Sequence, residues 1–481
     1  MKLFRGLSGL ALAQRSGPGG IVSADRLSAN GKNVLLIERG PPSKRRWGGR
    51  RRGRWLENSN LTRFDVPGLW FKVSMLFLDF VVVANISKPQ SLDWDSQFPD
   101  SWKAEDLSAA TDRAFERVPW SSVPSSDGIL YNREASDLIT KGLISDGWTT
   151  VEANSEPNAK NKTVSQSEYF FQHGERRGLL ETYLVSAVAR GNFKLWMNTL
   201  ATRVERNRDS VTGVQVEPSG DGGYNGTVKL AAGGRVIISA GVFGTAKILF
   251  RSGIGPKDQL DVVQKAEPEA LIDSAQWIDL PISHNLDDHL NTNVVFEHPD
   301  IVNYDFNSAY NNPIPDDAAA YLNTSGIAAA LGLGKTSRGR VTINSSLVMD
   351  VSVLPYFNDD GNHDFEAVVA TVSGVVKAIS SIPGATMINP VPGQEVRDYV
   401  RNLEFNAGRT ANHWVVTTRL GTDSALEGGK SVVDLNAQVY GTRNLHVVDA
   451  VILNGVFTAN PQAGIVIAAE KVAEAIIKLH G

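Results

Sequence analysis

The stretch from Ser16 to Glu38 constrains the fold of this chain more than any other part of it. Ser16-Gly17-Pro18-Gly19-Gly20 leads into Ile21–Ala29, where Ile21, Ala24, Leu27 and Ser28 fall at helical spacing, and Gly31 closes the helix. Val34-Leu35-Leu36-Ile37 is a continuous apolar run of the kind buried on both faces of a parallel sheet, and it ends at Glu38. Glycines let a backbone approach a pyrophosphate, a helix N-terminus offers unpaired N–H groups, and an acid after the next strand accepts ribose hydroxyls. Glu38 stands 18 positions beyond Gly20, close to the spacing of about 20 in dinucleotide-binding units. The unit predicts a β–turn–α–β dinucleotide site with Gly17, Gly19, Gly20 and Glu38 as contacts. Arg15 stands where the first glycine of G-x-G-x-x-G belongs, and only Leu10–Gln14 could serve as the preceding strand. An arginine there crowds the pyrophosphate and resists unusual backbone angles.

Composition narrows the chemistry. None of the 481 residues is cysteine, which excludes disulfides, thiolate metal sites, iron–sulfur clusters and cysteine nucleophiles. The eight histidines form no HExxH or HxH pattern, so no metal is expected. Forty-eight basic against 52 acidic residues leave a net charge of −4, which argues against a nucleic-acid partner. The one strongly basic run, residues 44–54, reads as a solvated loop, with a nuclear address or polyanion site as the alternative. Phe71–Ile86 is the most apolar run, but it is shorter than the roughly 20 residues of a spanning helix and contains Lys72 and Asp79. No membrane span is expected. The first 13 residues are basic, then apolar, and end in Ala11-Leu12-Ala13, which fits either a short secretory signal or a first strand. Six Asn-x-Ser/Thr sequons, at Asn60, Asn85, Asn161, Asn225, Asn323 and Asn344, favour an extracellular over a cytoplasmic location.

Along the chain, residues 40–130 read as irregular and loop-rich, and a mixed α/β stretch then runs to 285. Alternating, loop-rich sequence continues to about 405, and the last 75 residues return to clean α/β with a strand Leu445–Val448 and a long helix. Within this last part, Asn412-His413-Trp414, Gly421-Thr422-Asp423, Val432-Val433-Asp434 and Val439-Tyr440-Gly441-Thr442 precede Asn444–Ala450. Asn460-Pro461-Gln462 and the helix Ala463–Leu479 follow. This ordered set resembles the glucose–methanol–choline (GMC) oxidoreductases. Gly241–Pro256, Asn285-Leu286-Asp287-Asp288-His289 and Phe64–Leu69 extend the resemblance. Within that family the sequence is most similar to the flavodehydrogenase part of fungal cellobiose dehydrogenases, through Ser16–Gly40, Gly174–Leu184 and the Asn-His-Trp block.

The resemblance implies an α/β fold with a Rossmann-like FAD-binding domain of discontinuous sequence, residues 14–285 and 406–481. An α+β substrate domain with an antiparallel sheet, residues 286–405, would cover the flavin. It implies FAD as cofactor, a small sugar or alcohol as substrate, and oxidation of its CH–OH group with hydride passing to flavin N5. His413 would be the base, a role suited to a side chain whose pKa is near 6.5. Asn460 would align the hydroxyl, and it also suits a helix N-cap before Pro461. Asn412 would touch the substrate. Asp449, Ala450, Pro461 and Gln462 would meet the cofactor, with the helix N-terminus at Pro461 facing the flavin. The other histidines, His173, His284, His298, His363, His446 and His480, read as surface or structural.

Two departures from the family pattern join Arg15. The glycine-rich flavin loop is replaced by the apolar run 71–86, and the substrate region passes from Gly332–Lys335 almost directly to Ser337–Arg340. Weakened FAD retention is expected. Three readings therefore stand: a dehydrogenase, an oxidase that uses oxygen, and a non-catalytic relic or mis-spliced product that does not hold FAD.

Overall fold

The computed structural model describes residues 17–50, 56–62, 64–65, 86–130, 133–301, 334–403 and 411–479. Arg15, the segment Leu10–Gln14, residues 66–85 and the sequons at Asn85 and Asn323 lie outside them.

Helix α1 (Pro18–Ala29) begins with proline at a first-turn position, where its missing N–H costs nothing. The chain turns at Gly31, φ +77°, into strand β1 (Val34–Ile37), all four residues of which are buried. Helices α2 (Ser108–Arg117) and α3 (Tyr183–Val188) precede β2 (Phe193–Trp196), which pairs in parallel with β1, Val34 opposite Phe193. An antiparallel ribbon follows, β3 (Thr199–Asn207), β4 (Ser210–Pro218) and β5 (Gly226–Lys229). Then come β6 (Val236–Ile238), α4 (Gly241–Arg251) and α5 (Lys257–Ala266).

The middle of the chain forms separate antiparallel pairs. Strand β7 (Val295–Glu297) pairs with β10 (Thr386–Asn389), while β8 (Arg340–Ile343) and β9 (Met349–Val353) form a hairpin. Helix α6 (His363–Ser380) and the short α7 (Val396–Asn402) pack beside them. The chain then returns to where it began. Strand β11 (Leu445–Val447) pairs in parallel with β6, and α8 (Gln462–Lys478) packs along α1.

This return requires close contacts. A Cβ on Gly19 would lie 1.8 Å from the Val448 carbonyl oxygen, so only glycine lets α1 settle on the end of β11. A Cβ on Gly464 would lie 1.7 Å from the Phe457 ring. The α1–α8 seam also buries charge in pairs. Asp25 is fully buried and meets Arg117 at 2.6 Å and Arg190 at 2.7 Å. Glu470, also fully buried, meets Arg113 at 3.0 Å, Arg26 at 3.2 Å and the Tyr183 hydroxyl at 2.8 Å. Buried carboxylates are tolerable only with such partners.

Three expectations are corrected. Residues 40–130 contain the ten-residue helix α2, and the alternating stretch before 405 contains the 18-residue α6. The basic run is not wholly solvated. Arg45, Arg46 and Arg50 are exposed, but Lys44 is buried, with its ammonium 2.9 Å from Glu181 and 3.4 Å from Asp65. Opposite charges within reach hold it there, which the sequence pattern of the run does not reveal. Among the described residues no helix is long and apolar enough to cross a membrane.

Candidate active site

The site is built where the segment after residue 411 meets the turn before α8. Asn412 adopts φ +58° and Val416 φ +72°, the latter a real outlier for a β-branched residue. Such strain persists only where surrounding contacts impose it, and it clusters at functional sites. Between these two positions the His413 ring is held from both sides. Its Nε2 lies 2.9 Å from Asn460 Nδ2, and its Nδ1 lies 2.9 Å from His289 Nδ1. The two imidazoles meet edge to face, 4.9 Å between centroids.

The partners fix the direction of every hydrogen bond. Phe457 O can only accept, so His289 Nε2, 2.7 Å away, carries the proton. Neutral His289 therefore accepts at Nδ1, and His413 donates from its own Nδ1. That leaves His413 Nε2 with a lone pair. Asn460 is oriented independently, because its Oδ1 accepts from the Gln462 N–H at 3.0 Å. Its Nδ2 thus donates to His413 Nε2. Burial, with His289 as a second cause, pushes the His413 imidazolium down to about 3, and burial lowers His289 as well. Both rings are neutral at ordinary pH, and the Nε2 lone pair of His413 accepts from the Asn460 amide.

Beneath the pair lies the run Asp287-Asp288-His289, and each residue reaches a different element. Asp287 is buried and bridges to Lys335 at 2.8 Å and Arg338 at 3.6 Å. Asp288 is fully buried and accepts the His413 N–H at 2.7 Å and the Tyr356 hydroxyl at 2.6 Å. Burial raises Asp288 to about 6 against the pull of these donors and of Lys335. His289 and Asp288 are the residues sequence reasoning missed. Their segment was visible in Asn285–His289, but their contact with His413 is spatial.

The residues expected to meet the cofactor fall in two places. Gly17 precedes α1 as an extended residue without a side-chain cap, and the first turn, with Gly19 and Gly20, holds no acid. Those N–H groups suit a pyrophosphate. Glu38 sits at the tip of β1, buried, with its backbone N–H bonded to Trp196 O. Asp449 is placed at the end of β11, but its carboxylate is taken up internally. It accepts from Gly241 N–H at 2.9 Å, Thr245 hydroxyl at 2.6 Å and Val451 N–H at 2.9 Å, capping the turn that begins at Ala450. Pro461 precedes α8, and the Gln462 N–H is used by Asn460. Asn412 is exposed, and its backbone N–H shares the Asp288 carboxylate with that of His413. An acid-free helix start, and a Glu38 carboxylate at the end of the next strand that accepts from the Gly40 N–H at 2.5 Å, are the donor and acceptor set that the adenosine diphosphate half of FAD requires, so Gly17, Gly19, Gly20 and Glu38 fit the cofactor, whereas Asp449 is already engaged.

The returning α/β unit thus places a half-buried histidine against an amide at the turn before α8. Residues 86–291 match the family model for the N-terminal part of GMC oxidoreductases, and residues 335–469 that for the C-terminal part. The chain belongs to this FAD-dependent family. It is 26% identical to a choline oxidase of Arthrobacter globiformis, over 66% of this chain and 64% of that enzyme. It is 25% identical to an acceptor-dependent alcohol dehydrogenase of Pseudomonas putida, over 76% of this chain and 73% of that one. Its fold is similar to that of an FAD-dependent oxidoreductase from Chaetomium thermophilum, with a TM-score of 0.72 at 15% identity over 97% of this chain and 98% of the other. The matched part thus spans slightly less than two thirds of the choline oxidase.

Proposed function

We propose that this protein oxidises the CH–OH group of a small alcohol or sugar, with His413 as the base and Asn460 as the residue that aligns the hydroxyl. FAD, when bound, supplies the hydride acceptor. The observation that carries the reading is the directed chain from Phe457 through His289 and His413 to Asn460, which leaves a lone pair on His413 Nε2. A substrate hydroxyl entering between His413 and Asn460 would give its proton to Nε2 and accept from Nδ2. The proton is removed from oxygen as hydride leaves carbon, so a base that is neutral before the reaction is what the chemistry needs. An imidazole held near 3 is a weak base in water, but its partner here is a hydroxyl whose proton becomes more acidic as the carbonyl forms.

The alcohol reading rests on the two relatives named above. A sugar substrate like that of cellobiose dehydrogenases rests on the likeness of Ser16–Gly40, Gly174–Leu184 and the Asn412–Trp414 block alone. One relative is an oxidase and the other uses a separate acceptor, so oxygen and a dye are both to be offered as acceptors. Four of the sequon asparagines, Asn60, Asn161, Asn225 and Asn344, are exposed, as glycosylation requires, and they favour an extracellular enzyme.

The test is anaerobic mixing of the FAD-loaded chain with choline, benzyl alcohol and cellobiose, followed by the flavin spectrum and by aldehyde or lactone product. Bleaching with one donor and matching product is expected. A chain that takes up no FAD, or whose flavin none of the three bleaches, favours the non-catalytic reading.

A further inference from the structure

We infer that Asp288 is a positioning residue that holds the His413 segment in its strained bend and thereby fixes the ring, an inference that rests on the reading of His413 as the base. Three successive backbone N–H groups converge on its carboxylate: Ala411 at 3.1 Å, Asn412 at 3.3 Å and His413 at 2.7 Å. Successive N–H groups converge on one centre where a left-handed residue follows a right-handed one, forming a nest for an anion. Asn412, at φ +58°, supplies the left-handed residue. A non-glycine residue there is uncommon without a compensating contact, and here the compensation is a buried negative charge. The Tyr356 hydroxyl, at 2.6 Å, ties the same carboxylate to the segment after β9.

The neighbouring groups give this carboxylate its charge and its direction. On its own segment stand Asp287 and His289. On the segment before β8 stand Lys335, which favours ionised Asp288, and Arg338, which is spent on Asp287. His413 meets it at Oδ1, and Tyr356 shares Oδ2 with the Ala411 and Asn412 N–H groups. Asp287, joined to Lys335 and Arg338, anchors the run from below, while His289 receives the His413 Nδ1 proton. Asp288 sets the backbone of the base and His289 sets its ring. Loss of the nest anion frees Asn412 to leave the left-handed region and swings His413 Nε2 off its line to Asn460. A misplacement of about 1 Å can cost on the order of 10²-fold in rate.

Two measurements on the FAD-loaded full chain test this. The first is flavin reduction, by whichever of choline, benzyl alcohol and cellobiose is fastest, in Asp288→Asn, His413→Ala and the double variant. Asp288→Asn should slow reduction by on the order of 10²-fold with little change in KM, and should cost almost nothing further once His413 is alanine, because residues that act through one another are not additive. Equal losses in both backgrounds would overturn the positioning role. A His413→Ala enzyme as fast as the parent would instead sink the base assignment. The second needs no substrate: nitrogen spectra of histidine-labelled protein. The parent should show His413 as one tautomer, protonated at Nδ1, and Asp288→Asn should show a tautomer mixture. An unchanged single tautomer overturns the inference. Should Asp288→Asn fail to fold, Tyr356→Phe removes one donor to the ionised form. The Asp288 pKa then rises, and the acid limb of the reduction rate moves to higher pH; an unmoved limb contradicts the account.

Discussion

Asn460 divides one amide between two tasks, holding the Gln462 N–H with its oxygen and facing His413 Nε2 with its nitrogen. The two tasks separate by substitution. Asn460→Ala loses both, so flavin reduction should slow and thermal melting should report a loss of about 1 kcal/mol at the start of α8. Asn460→Asp keeps the acceptor for Gln462 but sets an anion against His413, which favours the imidazolium and occupies the lone pair. Melting close to the parent's with a deeper loss of rate than in Asn460→Ala is expected; an Asn460→Asp enzyme as fast as the parent would contradict the assigned donor direction. At this scale much was legible. His413 and Asn460 were named from motif, and the structure sets them side by side although 47 positions separate them. His289 and Asp288 were in view as a motif but carried no role, because nothing in a linear pattern says which ring an imidazole will touch. Asp449 illustrates the reverse: its place at a strand end was readable, whereas two of the three donors that occupy it, Gly241 and Thr245, come from a segment about 200 positions away.

At the scale of elements, legibility followed the strength of the apolar period. Helix α1, strand β1 and the terminal helix were readable because apolar or small residues mark their buried sides and glycine or proline marks their ends. Helix α2 was hidden because its buried positions, Ala110 and Ala114, are small. Its docking is ionic, Arg113 to Glu470 and Glu474 and Arg117 to Asp25. Helix α6 was hidden for another reason. Its interior, Ala367-Val368-Val369-Ala370-Thr371-Val372, is rich in β-branched residues that favour strands, and tertiary packing overrides that preference. The antiparallel character expected of the middle region was correct in kind, but among the described residues it takes the form of separate two-stranded pairs.

At the scale of the whole molecule, the return of the chain is what makes a site from distant segments: β11 against β6, α8 against α1, and Phe457 against His289. The family signature in the last 75 residues made that return readable, whereas the buried ion pairs that seal it were not, since they join residues from 92 to 444 positions apart. The arginine and the apolar run that led to the expectation of weak FAD retention fall outside the described residues, and the flavin spectrum decides that point. Burying neutral histidines has a consequence for stability. His446 lies wholly inside, bonded to Asn436 O and beside Arg235, and burial pushes it down to about 4. Its folded pKa is below the unfolded value, so its contribution is complete above about pH 6.5 and is lost as pH falls toward 4. Between pH 7 and pH 5 the parent should lose about 2 kcal/mol more than His446→Gln, measured by urea unfolding at the two pH values. Equal losses would mean that His446 is not neutral in the fold.

The central claim is that His413 takes the hydroxyl proton. Rapid mixing of FAD-loaded parent and His413→Ala with the same alcohol, followed at the flavin absorbance, tests it most directly. Removing the base should slow reduction by about 10²–10⁴-fold while leaving the oxidised flavin spectrum intact. A His413→Ala enzyme that reduces its flavin as fast as the parent would contradict the account.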